Sequence, residues 1–198
     1  MKKMMFNDRY GLTQAVIDGR KTVTRRIVSQ PFFTLAWDER GDTLVYENDF
    51  GDFIDIRRSR YCPYKLGEVV AVAQRYGSFL HPNNGVIEHN YQTTACASKG
   101  WDNKMFVKAD LMPHQIQIRD LRIERLQDIS DDYFKEGITL LASADDGRIQ
   151  WGYADEHLRY YMFDSPREAF ASLIDKVSGK GTWDRNPFVW RIEFQLVK

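Results

Sequence analysis

Cysteine is scarce in this chain of 198 residues: Cys62 and Cys96 are the only two. They have no CxxC spacing and no nearby histidine pair, which excludes a zinc cluster and a disulfide framework. Two thiols in a chain with no signal-type apolar segment after Met-Lys-Lys point to a reducing, cytoplasmic setting. Histidine is also sparse. His81, His89, His114 and His157 share no metal-ligand spacing, so no metal and no cofactor are expected. No apolar run approaches the roughly 18 residues of a membrane span. Net charge is absent too, with 28 Lys and Arg against 28 Asp and Glu. That argues against a general nucleic-acid coat, which relies on a positive surface to hold phosphates.

What is present is unevenly distributed. Residues 1–30 hold seven Lys or Arg and two Asp, whereas residues 31–56 hold seven Asp or Glu and one Arg. The neutral total therefore hides a basic patch, unless the two segments neutralise each other in the fold. Apolar content of 43% supports a core, and the length fits one domain over 1–198 with insertions near 32–60, 77–104 and 141–164.

The densest chemistry lies in Gly19-Arg20-Lys21-Thr22-Val23-Thr24-Arg25-Arg26, with four cations and two hydroxyls in eight residues. A short helix is expected before it, capped by Asn7 or Asp8, with Leu12, Ala15, Val16 and Gly19 along its buried stripe. Gly19 supplies the left-handed residue that ends the helix. The β-branched Thr22-Val23-Thr24 starts a strand, which Gln30-Pro31 ends. Strand alternation puts Thr22, Thr24 and Arg26 on one face and Val23 and Arg25 on the other. Lys21 reaches the Thr24 side only from a turn or a bulge.

Further along, Phe32 to Trp37 and Thr43 to Tyr46 read as a hairpin around Asp38–Asp42. Arg57-Arg58-Ser59-Arg60 is a second basic run, read either as a phosphate contact or as a solvated edge. Val69 to Val72 is a buried strand. Tyr91 and Trp101 lie in a stretch without periodicity and are candidate stacking residues. Ile116 to Leu126 alternates as a half-buried strand. Ser130 is expected to cap a short helix with Asp131 and Asp132 in its first turn. Glu136 then sits just before Gly137, where a carboxylate opposes the helix dipole, and such broken local rules mark working sites. Ser165-Pro166-Arg167-Glu168 is a helix start, with Ala169, Phe170, Leu173, Ile174 and Val177 as its buried face. Phe188 to Val197 is the last strand. The class is α+β with a mostly antiparallel sheet.

Gly19-Arg20-Lys21-Thr22 followed by Thr24-Arg25-Arg26 resembles the GxKxxTxR core of the ASCH domain, a branch of the PUA-like superfamily. Tyr64-Lys65-Leu66-Gly67-Glu68-Val69, Leu121 to Ser130 with Glu136-Gly137-Ile138, and Asn186-Pro187-Phe188-Val189-Trp190 resemble further segments of that family, in its order. The closest likeness is to the larger members common in phages and prophages. The resemblance implies a PUA-like β-barrel, mixed or antiparallel, flanked by two or three helices, with a nucleoside-sized cleft at one end. It implies binding of RNA, a nucleotide or a modified nucleoside, with Arg20, Arg25, Arg26, Gln74 and Trp190 as ligand contacts. Ala73-Gln74 replaces the Arg-Glu of many relatives, and an amide binds but cannot serve as a base. Small members of the family deacetylate N4-acetylcytidine with a Lys, a Thr and a Glu. On this chain those positions fall on Lys21, Thr24 and Glu136, an alternative in which Lys21 takes the proton of Thr24.

Overall fold

The computed structural model describes residues 1–28, 35–37, 44–48, 50–79, 98–130, 132–142 and 147–197. In chain order the elements are β1 (Lys3–Met4), α1 (Leu12–Ile17), β2 (Val23–Ile27), β3 (Leu35–Trp37), β4 (Leu44–Glu47), β5 (Phe53–Asp55), β6 (Val69–Val72), α2 (Tyr76–Phe79), β7 (Gln115–Arg125), β8 (Thr139–Ala142), β9 (Ile149–Ala154), β10 (Tyr160–Phe163), α3 (Pro166–Ser178), α4 (Thr182–Arg185) and β11 (Phe188–Leu196). Among the described residues no helix is long and apolar enough to cross a membrane.

The fold is α+β. A five-stranded mixed sheet runs β1-β6-β7-β11-β2, and two small antiparallel sheets run β3-β4-β5 and β10-β9-β8. Only the β1–β6 pair of the main sheet is parallel. One layer of the core is built by alternate residues of the main sheet: Met4, Val70, Val72, Ile116, Ile118, Trp190, Ile192 and Phe194 are all buried.

The expected barrel is not closed. The edge strands β1 and β2 make no ladder with each other among the described residues. The reason is local. β1 is two residues long, and Asn7 then turns the chain into a 3-10 turn (Asp8–Tyr10) by accepting the Arg9 N–H at 3.0 Å. The Met5 carbonyl, which a ladder would use, accepts instead from the Arg26 guanidinium. The two edges thus face each other across a seam bridged by a side chain.

Other expectations meet mixed outcomes. The helix before Gly19 starts at Leu12 behind Gly11 rather than at Asn7 or Asp8. Leu12, Ala15 and Val16 are buried as its spacing requires, and Gly19 has φ +72° but is exposed. The hairpin of β3 and β4 forms, although its turn lies outside the described residues. Gln30, Pro31, Tyr91, Cys96 and Asp131 also lie outside them. Ser130 caps no helix among the described residues. The expected short helix is a single 3-10 turn, Phe134–Glu136, entered from Tyr133 without a side-chain cap and closed by Gly137 at φ +98°. The segment read as an insertion at 141–164 holds β9, β10 and the end of β8, which pair as one antiparallel sheet. The Ser165 cap and Pro166 start α3 as read, with Ser165 Oγ accepting the Glu168 N–H at 3.2 Å. Val177, placed on the buried face by its spacing, is instead exposed at the helix end.

Candidate functional site

Two turns and two strands build the site. Lys21 follows α1, its N–H donating to the Ala15 carbonyl at 2.8 Å, so it belongs to the turn and not to β2. The Thr22 N–H donates to the Lys135 carbonyl at 3.0 Å, which ties this turn to Phe134–Glu136. Lys21 Nζ then donates to Glu136 Oε2 at 2.6 Å and to the Glu136 carbonyl at 2.9 Å. The two side chains are 3% and 4% exposed. Burial pushes the Lys21 ammonium below its ordinary range, because the charged form loses water, and the Glu136 carboxylate opposes that push.

Arg25 takes the other carboxylate oxygen. Its Nη1 donates to Glu136 Oε1 at 2.8 Å and its Nε to Glu124 Oε1 at 2.7 Å. Arg191 stands opposite Arg25 in the β2–β11 register. It donates to Asp132 at 2.5 Å, Glu193 at 3.0 Å and Asp120 at 3.2 Å. Burial acts to raise the Asp132 carboxyl, but hydrogen bonds from Arg191 and Lys135 outweigh it and hold the group below its usual range. Each buried cation therefore has a carboxylate, which is the condition for tolerating charge in a core.

Strand alternation sends Thr24 and Arg26 the other way. They pair with Ile192 and Trp190 and open on a cleft of about 330 Å³ at the seam. Met5, Phe6 and Asn7 form one wall, Leu12, Val177 and Ser178 add to it, and Arg25 and Ile27 of β2 also border the cleft. Arg26 is half-buried, its guanidinium 6.0 Å from the Phe6 ring centre. Its Nε is buried without a hydrogen-bond partner among the described residues. Thr24 makes no side-chain hydrogen bond among the described residues, and none joins it to Lys21.

Of the residues singled out from the sequence, Lys21, Arg25 and Glu136 meet directly, and Thr24 and Arg26 share the cleft. Arg20 is exposed and paired with Asp18 at 2.9 Å. Gln74 is buried, its Oε1 2.8 Å from His114 Nδ1, and it lines a separate cleft with Asp8, Thr13 and Gln14. Trp190 is 3% exposed and packed in the core, so its ring has no open face. Arg25 also borders the seam cleft, but its guanidinium is committed to Glu136 and Glu124. Among the described residues no ion pair joins residues 1–30 to residues 31–56, so the two charged segments do not neutralise each other there. Nor do three His, Cys, Asp or Glu converge as metal ligands among those residues.

Glu124, Asp132 and Arg191 escaped the sequence reading. Glu124 and Arg191 sit on alternating strands and come to Arg25 only through the register across β2, β11 and β7, whereas Asp132, read as part of a helix first turn, reaches Arg191 from the turn before Phe134–Glu136. Val177 carried a signal in retrospect. It is the last apolar position of α3, one residue before the helix ends.

Comparison of the chain with family models, with curated proteins and with solved structures returns no match.

Proposed function

We propose that this chain binds the base of an RNA nucleotide or of a modified nucleoside in the seam cleft. The observation that carries the reading is Arg26. A guanidinium donor buried beside a cleft without a partner is costly, and such groups are normally satisfied by protein, water or ligand. The cleft volume lies in the range of small-molecule sites, and the Thr24 hydroxyl adds an uncommitted donor and acceptor. The resemblance of Gly19–Arg26 to the ASCH core supports the same ligand class. Calorimetric titration with cytidine, uridine, adenosine, guanosine and N4-acetylcytidine, and with short RNA, tests it. At least one ligand is expected to bind, and Arg26→Ala to weaken it by tenfold or more, the equivalent of one charged hydrogen bond. Binding that ignores Arg26→Ala, or no binding of any of these, overturns the reading.

The Lys21–Glu136 pair favours a second reading, deacetylation of N4-acetylcytidine. Lys21, as the free amine, would take the Thr24 proton, and Thr24 Oγ1 would attack the acetyl carbonyl. The exocyclic amine would leave with a proton passed through Glu136, and water would release acetate from Thr24. This reading ranks second because the Lys21 ammonium is spent on Glu136 and makes no hydrogen bond to Thr24. Cytidine appearing on chromatography, and lost with Thr24→Ala while nucleoside binding persists, would place it first.

A further inference from the structure

The polar atoms of the seam cleft are unequal in kind. The wall formed by Met5, Phe6 and Asn7 has already spent its acceptors. The Met5 carbonyl accepts from Arg26, the Phe6 carbonyl from Lys104 and from Thr13 at 3.4 Å, and the Asn7 carbonyl from the Leu12 N–H at 3.1 Å. Asn7 Oδ1 accepts the Arg9 N–H at 3.0 Å. What this wall has left is a donor, because the Asn7 amide Nδ2 makes no hydrogen bond among the described residues. Arg26 borders the same cleft and adds its Nε–H, the buried donor without a partner among those residues.

Nothing in the lining offsets these donors with a fixed acceptor. Among the described residues no Asp or Glu lines the cleft. Thr24 and Ser178 carry hydroxyls, which donate or accept as a ligand requires. β2 is an edge strand, and the outer backbone of such a strand presents N–H and C=O groups alike, favouring neither sense.

Bases differ in this respect. The Hoogsteen edge of guanine or hypoxanthine presents two adjacent acceptors, O6 and N7, which suit guanidinium and amide donors. Adenine carries an amine donor in place of O6, and cytosine carries an amine at N4. An amine brought against Arg26 Nε or Asn7 Nδ2 meets another donor, and a buried donor left unpaired is costly.

We infer that the seam cleft selects a 6-oxopurine, guanine or hypoxanthine, with Arg26 and Asn7 as the donors to its acceptor edge and Asn7 as the residue that sets the preference. The inference rests on the reading of this cleft as a base site.

Calorimetric titration of wild type and of Asn7→Asp tests it, with guanosine, inosine, 7-deazaguanosine, adenosine, cytidine, uridine and N4-acetylcytidine. Aspartate keeps the oxygen that accepts the Arg9 N–H and exchanges the amide donor for an acceptor. A thermal melt checks the fold of the variant. Guanosine and inosine are expected to bind wild type at least about tenfold more tightly than adenosine, cytidine, uridine or N4-acetylcytidine, the lower end for a bidentate base contact. 7-Deazaguanosine, which lacks the N7 acceptor, should bind about fivefold more weakly than guanosine. Asn7→Asp should abolish the preference by weakening guanosine while adenosine holds or gains. Equal affinities across the panel, or tighter binding of any of the other bases, would overturn the inference and leave the cleft reading standing where Arg26→Ala still weakens binding. A guanosine preference unmoved by Asn7→Asp, or by loss of N7, would overturn the assignment of Asn7 and the acceptor edge. No binding of any nucleoside would overturn the inference, and no binding of short RNA either would overturn both.

Discussion

Arg25 and Arg191 face each other across β2 and β11, a like-charge pairing that destabilises a sheet unless anions intervene. Five carboxylates do so: Glu124, Glu136, Asp132, Asp120 and Glu193. Removing one cation from such a set leaves buried anions uncompensated. Arg25→Met is therefore expected to cost about 3–5 kcal/mol in urea unfolding, far more than an exposed pair such as Arg20 with Asp18. A loss under 1 kcal/mol would show that water reaches Glu136 and Glu124. Strain of another kind sits at Leu158, 73% exposed with φ +59°. Asparagine tolerates this left-handed backbone far better, so Leu158→Asn should raise stability by about 1 kcal/mol, read from the same unfolding curves. At this scale much of the site was legible. Lys21, Thr24 and Arg26 lie within six residues, and Glu136 stood out because its carboxylate precedes a helix-ending glycine. Glu124, the other carboxylate that Arg25 meets at hydrogen-bond distance, was not legible, because a Glu on an alternating strand looks the same whether water or an arginine meets it.

Elements differ in how local their causes are. The start of α3 was readable because its cap, proline and Glu168 act within four residues. The β8–β10 sheet was not, because its aromatic and charged residues gain their alternation only from cross-strand packing. Gly152 is the clearest case. A Cβ there would lie 2.0 Å from the Tyr161 carbonyl oxygen, so only glycine lets β9 and β10 pair at that point. Gly152→Ala is expected to destabilise by about 3 kcal/mol and to speed hydrogen exchange at the β10 amides before the main sheet opens. Uniform exchange in both sheets would mean that they unfold as one unit. The closed barrel failed as an expectation for a related reason. Whether two edges zip together depends on where the backbone of Met5–Asn7 points, and Asn7 and Arg26 settle that through side chains.

For the whole molecule, acid stability follows from its carboxylates. Burial acts to raise Asp155, but hydrogen bonds from Arg159 and from the His157 and Arg159 backbone outweigh it and lower the group to about 2. Asp132 and Asp175 are also held below their usual range. The native state then binds fewer protons than the unfolded chain as pH falls below about 4, where free carboxylates titrate. Stability is therefore full above that pH and declines toward pH 2. Thermal melts across this interval should show the decline, and Asp155→Asn should flatten it; an unchanged slope would remove Asp155 from the account. The strand order carries one more consequence. β2, which holds Thr24 and Arg26, pairs among the described residues only with β11, at residues 189–193. On a growing polypeptide this cleft-lining strand waits for its partner while more than 150 residues are added. The seam cleft is thus not finished until β11 is made, and a ribosome that stalls before β11 leaves a nascent chain with a bare, basic edge.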